Sequence, residues 1–266
     1  MSAAAQSSDQ YANSENLARR AGLHQAYGRV SWFDWLAERM ELGPGARVLD
    51  VGCGPGWFWR RTAPRAPEGL RLSLLDCSAG MVAEAEAALA GAPFADLRGI
   101  VGDAAALPFP DASVDAVLLM HVLYHVADPG RALDEACRVL RPGGRVFVTT
   151  NATENLKVIM ALAAKTFGTS PVDPGADAFS LDDAVAGLNT RFVDVVRHDL
   201  IETYACTDAD IVLDFLRSMP PAKDADPADQ KRLTEGVKAA FVAAGGILQA
   251  QKQTGLVLGT RPPTDI

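Results

Sequence analysis

Cysteine is scarce in this sequence, and what there is stands apart. Cys53, Cys77, Cys137 and Cys206 are scattered singly, with no CxxC pair and no neighbouring His or Cys at metal-ligand spacing. They read as reduced cytosolic thiols, and no metal site is expected. No run of about 18 apolar residues occurs, which excludes a transmembrane helix. The opening MSAAAQSSDQ lacks a basic segment followed by an apolar core, so it is not a secretory signal, and residues 1–10 are expected to be mobile. Positive charge is also short: 25 Lys and Arg stand against 33 Asp and Glu, a formal net charge of -8. A surface of that average sign disfavours phosphate backbones and anionic membranes. The expectation is a soluble cytoplasmic protein with neither nucleic acid nor membrane as partner.

What is present is a core-forming composition, 48% hydrophobic over 266 residues, enough to fold without a covalent staple. From Ser14 onward, Leu17, Ala21, Leu23, His24 and Tyr27 recur at helical steps, and a second helical stretch, residues 32–40, stops before Gly43-Pro44-Gly45. Then short apolar runs alternate with helical stretches. Residues 47–51, 70–75, 97–101, 114–120 and 145–149 read as strands; residues 56–62, 81–90 and 131–140 read as helices, the last closed by the turn Arg141-Pro142-Gly143-Gly144. This alternation implies βαβ units and a parallel sheet with helices on both faces. The runs are apolar at consecutive positions, as strands covered on both sides should be.

After Thr150 the rhythm breaks. Residues 156–167, 207–219 and 229–243 are helical in pattern, 168–175 reads as a loop, and Ser180-Leu181-Asp182-Asp183 has the form of a helix start. Residues 192–204 and 247–261 read as two late strands that could join the sheet edge. No internal repeat and no linker-like composition is visible.

The strongest chemical signal is Val48-Leu49-Asp50-Val51-Gly52-Cys53-Gly54-Pro55-Gly56, a strand running into a glycine-dense turn and then a helix. Glycines let a backbone approach a ligand closely, and the amides of the following helix favour an anionic group. A tight turn with no ligand is the plain alternative for a motif this short. Context improves the odds. Asp76 ends the second strand about twenty residues on, where a carboxylate can accept hydrogen bonds from both ribose hydroxyls. Asp103, in Gly102-Asp103-Ala104, ends the third, where it could receive an adenine amine. Each aspartate alone would more often be a cap or a turn residue; three successive strands with a matching end make coincidence improbable. A dinucleotide fingerprint would need glycine at position 57, which is Trp57, and no P-loop GK followed by Ser or Thr is present.

Together VLDVGCGPG, LLDCSAGM, GDAAALPFPDASVDAV, HVLYHVADP and LRPGGRVFVTT resemble the class I S-adenosylmethionine-dependent methyltransferases, in the small-molecule branch that includes the ubiquinone and menaquinone biosynthesis enzymes. The resemblance is specific over residues 47–150 and mainly architectural beyond. It implies an α/β, Rossmann-like, seven-stranded, mostly parallel sheet whose last two strands form an antiparallel pair. It implies one domain from residue 11 to 266, with a helical lid (11–46), a cofactor-binding core (47–150) and an acceptor-pocket roof carrying the last strands (151–266). The implied cofactor is S-adenosylmethionine, leaving as S-adenosylhomocysteine. Backbone at Gly52, Cys53 and Gly54 would line its methionine and ribose, Asp76 would hold the ribose, Cys77 and Met81 would flank the adenine, and Asp103 with Ala104 would address the adenine amine. Asp50, Gly102 and Met120 complete the cofactor set.

Arg20, His24 and Tyr27 share one helical face. They read either as a lid, with Arg20 near the cofactor carboxylate and His24 or Tyr27 near the acceptor, or as a solvated Arg beside half-buried aromatics. His121 directly follows the fourth strand and is the candidate base or acceptor-positioning group. His125 reads as a structural histidine, and Asn151 and Asn155 as roof residues or helix caps. Met120-His121-Val122-Leu123 lacks the Asn or Asp followed by Pro-Pro and an aromatic that enzymes acting on exocyclic amines of DNA bases carry there. With the acidic balance, this points to a small-molecule acceptor, uncharged or cationic, methylated on O, N or C. RNA or protein methylation, a non-catalytic cofactor-binding module and an NAD-dependent oxidoreductase are the rivals.

Overall fold

A computed structural model describes residues 15–263; the expected mobile segment 1–10 lies outside them. Two helices, α1 (Glu15–Tyr27) and α2 (Trp32–Met40), precede the alternating region. There β1 (Arg47–Val51), α3 (Trp57–Thr62), β2 (Arg71–Asp76), α4 (Ala79–Ala88), β3 (Asp96–Val101), β4 (Val114–Met120), α5 (Pro129–Val139) and β5 (Leu140–Asn151) follow in order. The rest comprises α6 (Lys157–Phe167), α7 (Pro174–Ala178), α8 (Leu181–Asn189), β6 (Val193–Cys206), α9 (Ala209–Arg217), α10 (Pro227–Ala243) and β7 (Leu248–Thr260).

Side-chain oxygens fix the helix starts where the sequence provides them. Ser78 accepts the Met81 amide at α4 and Asp128 the Arg131 amide at α5; at α8, Ser180 and Asp183 form a reciprocal capping box. The expected loop at 168–175 holds a cap of its own: Asp173 accepts the Gly175 amide and starts α7. The expected turn at 141–144 lies within strand β5. Leu140 pairs with Val114 and Arg145 with Ala116, so residues 141–144 bulge out of the ladder without ending it.

The seven strands form one sheet, ordered β3-β2-β1-β4-β5-β7-β6, with β1 to β5 parallel and β7 antiparallel to both neighbours. On one face, Ala132, Leu133, Ala136 and Val139 of α5 and Leu181, Ala184 and Leu188 of α8 pack against Leu49, Val117 and Val146. On the other, Trp35, Leu36, Met40, Phe58, Trp59 and Ala85 cover Val48, Leu72, Leu118 and Phe147.

The reversed direction of β7 shapes the molecule. Asn151, the last residue of β5, pairs with Thr254, so residues 248–253 continue past the carboxyl edge of the parallel strands, paired only to β6. One face of this ribbon, with Leu248, Ala250, Tyr204 and Cys206, forms a third core with Leu23 of α1 and with α6, α9 and α10. No helix among the described residues is long and apolar enough to cross a membrane.

Phe147 is fully buried at the centre of β5. Phe147→Ala is expected to lower the unfolding free energy by roughly 3–5 kcal/mol through lost burial and the cavity left behind, read from the urea midpoint.

Candidate active site

Strand β1 leaves the sheet between β2 and β4, where the chain order reverses and open α/β sheets form their ligand crevice. Two glycines there are required for different reasons. Gly52, at φ 72°, has no room for a side chain: a Cβ would lie 2.4 Å from Cγ2 of Val122. Gly54, at φ 52°, is the reverse case, since a Cβ would meet nothing within 4 Å and the turn there faces open space.

The turn is tied to the end of β2. The amides of Gly52 and Cys53 donate to the Leu75 carbonyl at 2.7 and 3.0 Å, and the Gly54 amide donates to Asp76 Oδ2 at 3.0 Å. Asp76 Oδ1 accepts the Ser78 amide at 2.9 Å, so each carboxylate oxygen keeps a lone pair for a further donor. Beneath the turn, Asp50 is fully buried; Trp59 Nε1 donates to its Oδ2 at 2.9 Å, while Oδ1 has no partner among the described residues. Burial pushes this carboxyl up to about 7, the Trp59 hydrogen bond opposes the shift and the charge of Asp76 adds to it.

At the end of β3, Asp103 is exposed and accepts the Ala105 amide at 2.9 Å, while the Gly102 amide bonds the Asp76 carbonyl at 3.0 Å. Ala104 and Met81 are buried, and Cys77 is exposed beside Asp76.

At the end of β4, His121 adopts a left-handed backbone at φ 51°, its amide donating to both the carbonyl and Oγ1 of Thr149 at 3.0 and 3.1 Å. Its ring lies 5.7 Å from Trp32 and 6.2 Å from Tyr124, and Tyr124 meets His125 edge-on at 4.4 Å. Helix α1 lies over this group. His24 Nδ1 and the Tyr204 hydroxyl are 3.0 Å apart, the Tyr27 hydroxyl accepts the amides of Thr207 and Asp208, and Arg20 donates to the Ser218 carbonyl at 3.2 Å. Burial, then the positive charge of Lys252, holds His24 at about 3 and His121 at about 4, below the usual imidazole range. Burial, then Arg20, holds His125 at about 4.

A model of the methyltransferase domain matches residues 49–148. The ubiquinone/menaquinone biosynthesis C-methyltransferase of Roseobacter denitrificans is 38% identical over 134 residues, 50% of this chain and 51% of that protein. The demethylmenaquinone methyltransferase of Symbiobacterium thermophilum is 34% identical over 137 residues, 50% of this chain and 54% of that protein. Residues 49–148 form a methyltransferase domain.

The chain spans about half the length of these curated relatives. Beyond the methyltransferase domain the likeness is one of fold. The YcgJ protein of Bacillus subtilis superposes with a TM-score of 0.60 at 17% identity, covering 87% of this chain and 98% of that one. The cyclase SpnF superposes with a TM-score of 0.56 at 20% identity, covering 92% and 94%.

The structure brings the sequence-predicted residues of the methyltransferase domain to one edge of the sheet, at the ends of β1 to β4. It also refines several of them. Asp50 lies under the turn, Met81 is buried in α4, and Arg20, His24 and Tyr27 are bound to β6 and to the segment around α9. Asn151 and Asn155 are not helix caps. Both donate to Asp173 Oδ2, at 3.1 and 2.9 Å, and Leu156 occupies the cap position of α6. They tie the end of β5 to the start of α7.

Sequence reasoning missed Lys252 and Glu202. Leu248, Ala250, Lys252 and Thr254 alternate onto the buried face of β7, so a lysine standing in the apolar phase was the available signal.

Gly52→Ala is expected to cost roughly 2–5 kcal/mol in unfolding free energy, from the left-handed backbone and the overlap with Val122. Adding Val122→Ala should recover the overlap share and not the backbone share, a non-additivity that a double-mutant cycle measures. The three depressed histidines set a pH dependence. Unfolded imidazoles take up protons near 6.5 and the folded ones do not, so stability falls as pH drops from about 7 to 5 and goes on falling toward the folded values. The urea midpoint of His121→Gln should fall less over that interval than that of the parent.

Proposed function

We propose that this chain transfers a methyl group from S-adenosylmethionine to a small-molecule acceptor by in-line displacement. The observation that supports it most is the β1 exit itself: a glycine turn open on one side at Gly54, backed by Asp76 with free lone pairs and by the orphaned Asp50 Oδ1. These are the features a nucleoside carrying an amino-acid tail requires. When bound, S-adenosylmethionine supplies a methyl group on a sulfonium, already a good electrophile.

The backbone of Gly52, Cys53 and Gly54 lines the methionine and ribose. Asp76 accepts from the ribose hydroxyls, Cys77 borders the adenine with Met81 packed behind, and Gly102, Asp103 and Ala104 meet its amine edge. Met120 floors the crevice, and Arg20, which donates to the Ser218 carbonyl, is assigned to the cofactor carboxylate. In domain terms, residues 15–40 act as a lid, residues 47–150 hold the cofactor, and the following segment with β6 and β7 roofs the acceptor. The contribution of the chain is positioning and exclusion of water, with Trp32, Tyr124 and His121 closing around the acceptor. Histidines held near 3 and 4 are weak bases at neutral pH, so His121 positions the acceptor and does not deprotonate it.

Asp76→Ala is expected to weaken S-adenosylhomocysteine binding by roughly tenfold or more, as expected for a lost hydrogen bond to a charged group worth about 1.5–3 kcal/mol. Isothermal calorimetry checks this, and an unchanged affinity overturns the cofactor site. Turnover is read as S-adenosylhomocysteine formed with a panel of small hydroxyl, amine and activated-carbon compounds. A chain that binds the cofactor and forms none with any of them is a binding module.

A further inference from the structure

Lys252 is 7% exposed, yet no hydrogen bond or ion pair reaches its ammonium group among the described residues. Its Nζ sits 5.3 Å from the centre of the Trp32 ring, and its charge is felt by both His24 and His121. It therefore lies where α1, α2 and the β4 exit converge, the region that the methyl-transfer reading gives to the acceptor. Burial lowers this ammonium and Glu202 opposes the shift.

Glu202 is the direct cross-strand partner of Lys252 in the β6–β7 ladder, so both side chains stand on one face of the ribbon, their Cβ atoms about 4.5–5.5 Å apart. Glu202 Oε1 accepts the amides of Arg29 and Val30 at 2.8 and 3.1 Å, which orders the connection between α1 and α2. Its Oε2 is buried without a partner. The pair thus offers unused ammonium donors and one unused carboxylate acceptor, side by side and unbonded to each other. A buried carboxylate oxygen without a partner is costly, and a group that both donates and accepts would satisfy Glu202 Oε2 and the neighbouring ammonium at once.

A hydroxyl is such a group. We propose that Lys252 and Glu202 together recognise an acidic hydroxyl, phenolic or enolic, on the acceptor: Glu202 Oε2 takes its proton and Lys252 Nζ holds the resulting oxyanion. The O–H bond of the acceptor breaks, the proton bonds Glu202, and the electron pair stays on the acceptor oxygen, which then attacks directly or enriches the adjoining carbon for attack. This narrows the acceptor from the uncharged or cationic molecule expected from net charge to one that ionises on binding. The inference rests on the methyl-transfer reading for its place in a reaction, but the binding pair is tested without turnover.

The probe is para-nitrophenol, whose phenolate absorbs in the visible and whose phenol does not. Added to the protein with saturating S-adenosylhomocysteine, about one pH unit below its own ionisation, it should bind with the phenolate band and with no net proton release. Lys252→Met should weaken that binding at least tenfold and abolish the band, with S-adenosylhomocysteine affinity unchanged. Glu202→Gln keeps the acceptor for Arg29 and Val30. It should still give the band but release about one proton to buffer per ligand bound, read by calorimetry in buffers of different ionisation enthalpy. Equal binding of para-nitroanisole and para-nitrophenol by the parent protein, no band on the parent, an intact band in Lys252→Met, or the same proton release in parent and Glu202→Gln would each overturn the proposal. The first two need no variant to fold. Failure to bind S-adenosylhomocysteine is a separate result and counts against the cofactor site alone.

Discussion

The site depends on how closely β1 passes β4 as both leave the sheet. At Gly52 the backbone comes within side-chain contact of Val122, close enough to exclude even a methyl group, and the chain turns there at positive φ. That approach is possible only for glycine. It sets the Gly52 and Cys53 amides on the Leu75 carbonyl and the Gly54 amide on Asp76, so the turn is fastened to the end of β2 before any ligand arrives. It also places the β4 exit, with His121 and the Tyr124–His125 pair, beside the turn. The glycine turn and the β4 exit are therefore parts of one junction.

The second organising fact is the direction of β7. A parallel strand in its place would end with its neighbours, whereas an antiparallel one carries its first half beyond them. That overhang supplies the floor on which α1, α6, α9 and α10 pack, and it brings Lys252 and Glu202 over the carboxyl edge. The two halves of the chain meet there: α1 from the start of the described region bonds Tyr204 and the segment after β6, and Glu202 orders the link from α1 to α2.

Electrostatics in that space run against the simplest expectation. Three histidines surround it, and a histidine near neutrality is the ordinary general base. Here burial, with Lys252 and Arg20 as neighbours, depresses all three, so they are neutral near pH 7. The charged members are Lys252 and Glu202 on adjacent strands, with Arg20 beside His125. The cyclase SpnF shares this fold at 20% identity, and one fold can carry differing chemistry.

Much of this was determined by local sequence. The strand-glycine-helix passage at 47–62, the acidic ends at Asp76 and Asp103, and the caps at Ser78, Asp128 and Ser180 depend on neighbours within a few residues, and periodicity with turn chemistry reveals them. The seven strands and the helices other than α7 followed for the same reason. Tertiary structure decided what depends on partners far along the chain. Asn151 and Asn155 were ambiguous until Asp173 was brought to them, and the 141–144 turn became a bulge because β4 holds the strand on both sides of it. His121 was a fair base in isolation and a poor one once buried beside a lysine 131 residues away in sequence. Lys252 and Glu202 became a pair only through strand register, a long-range relation that no local pattern encodes.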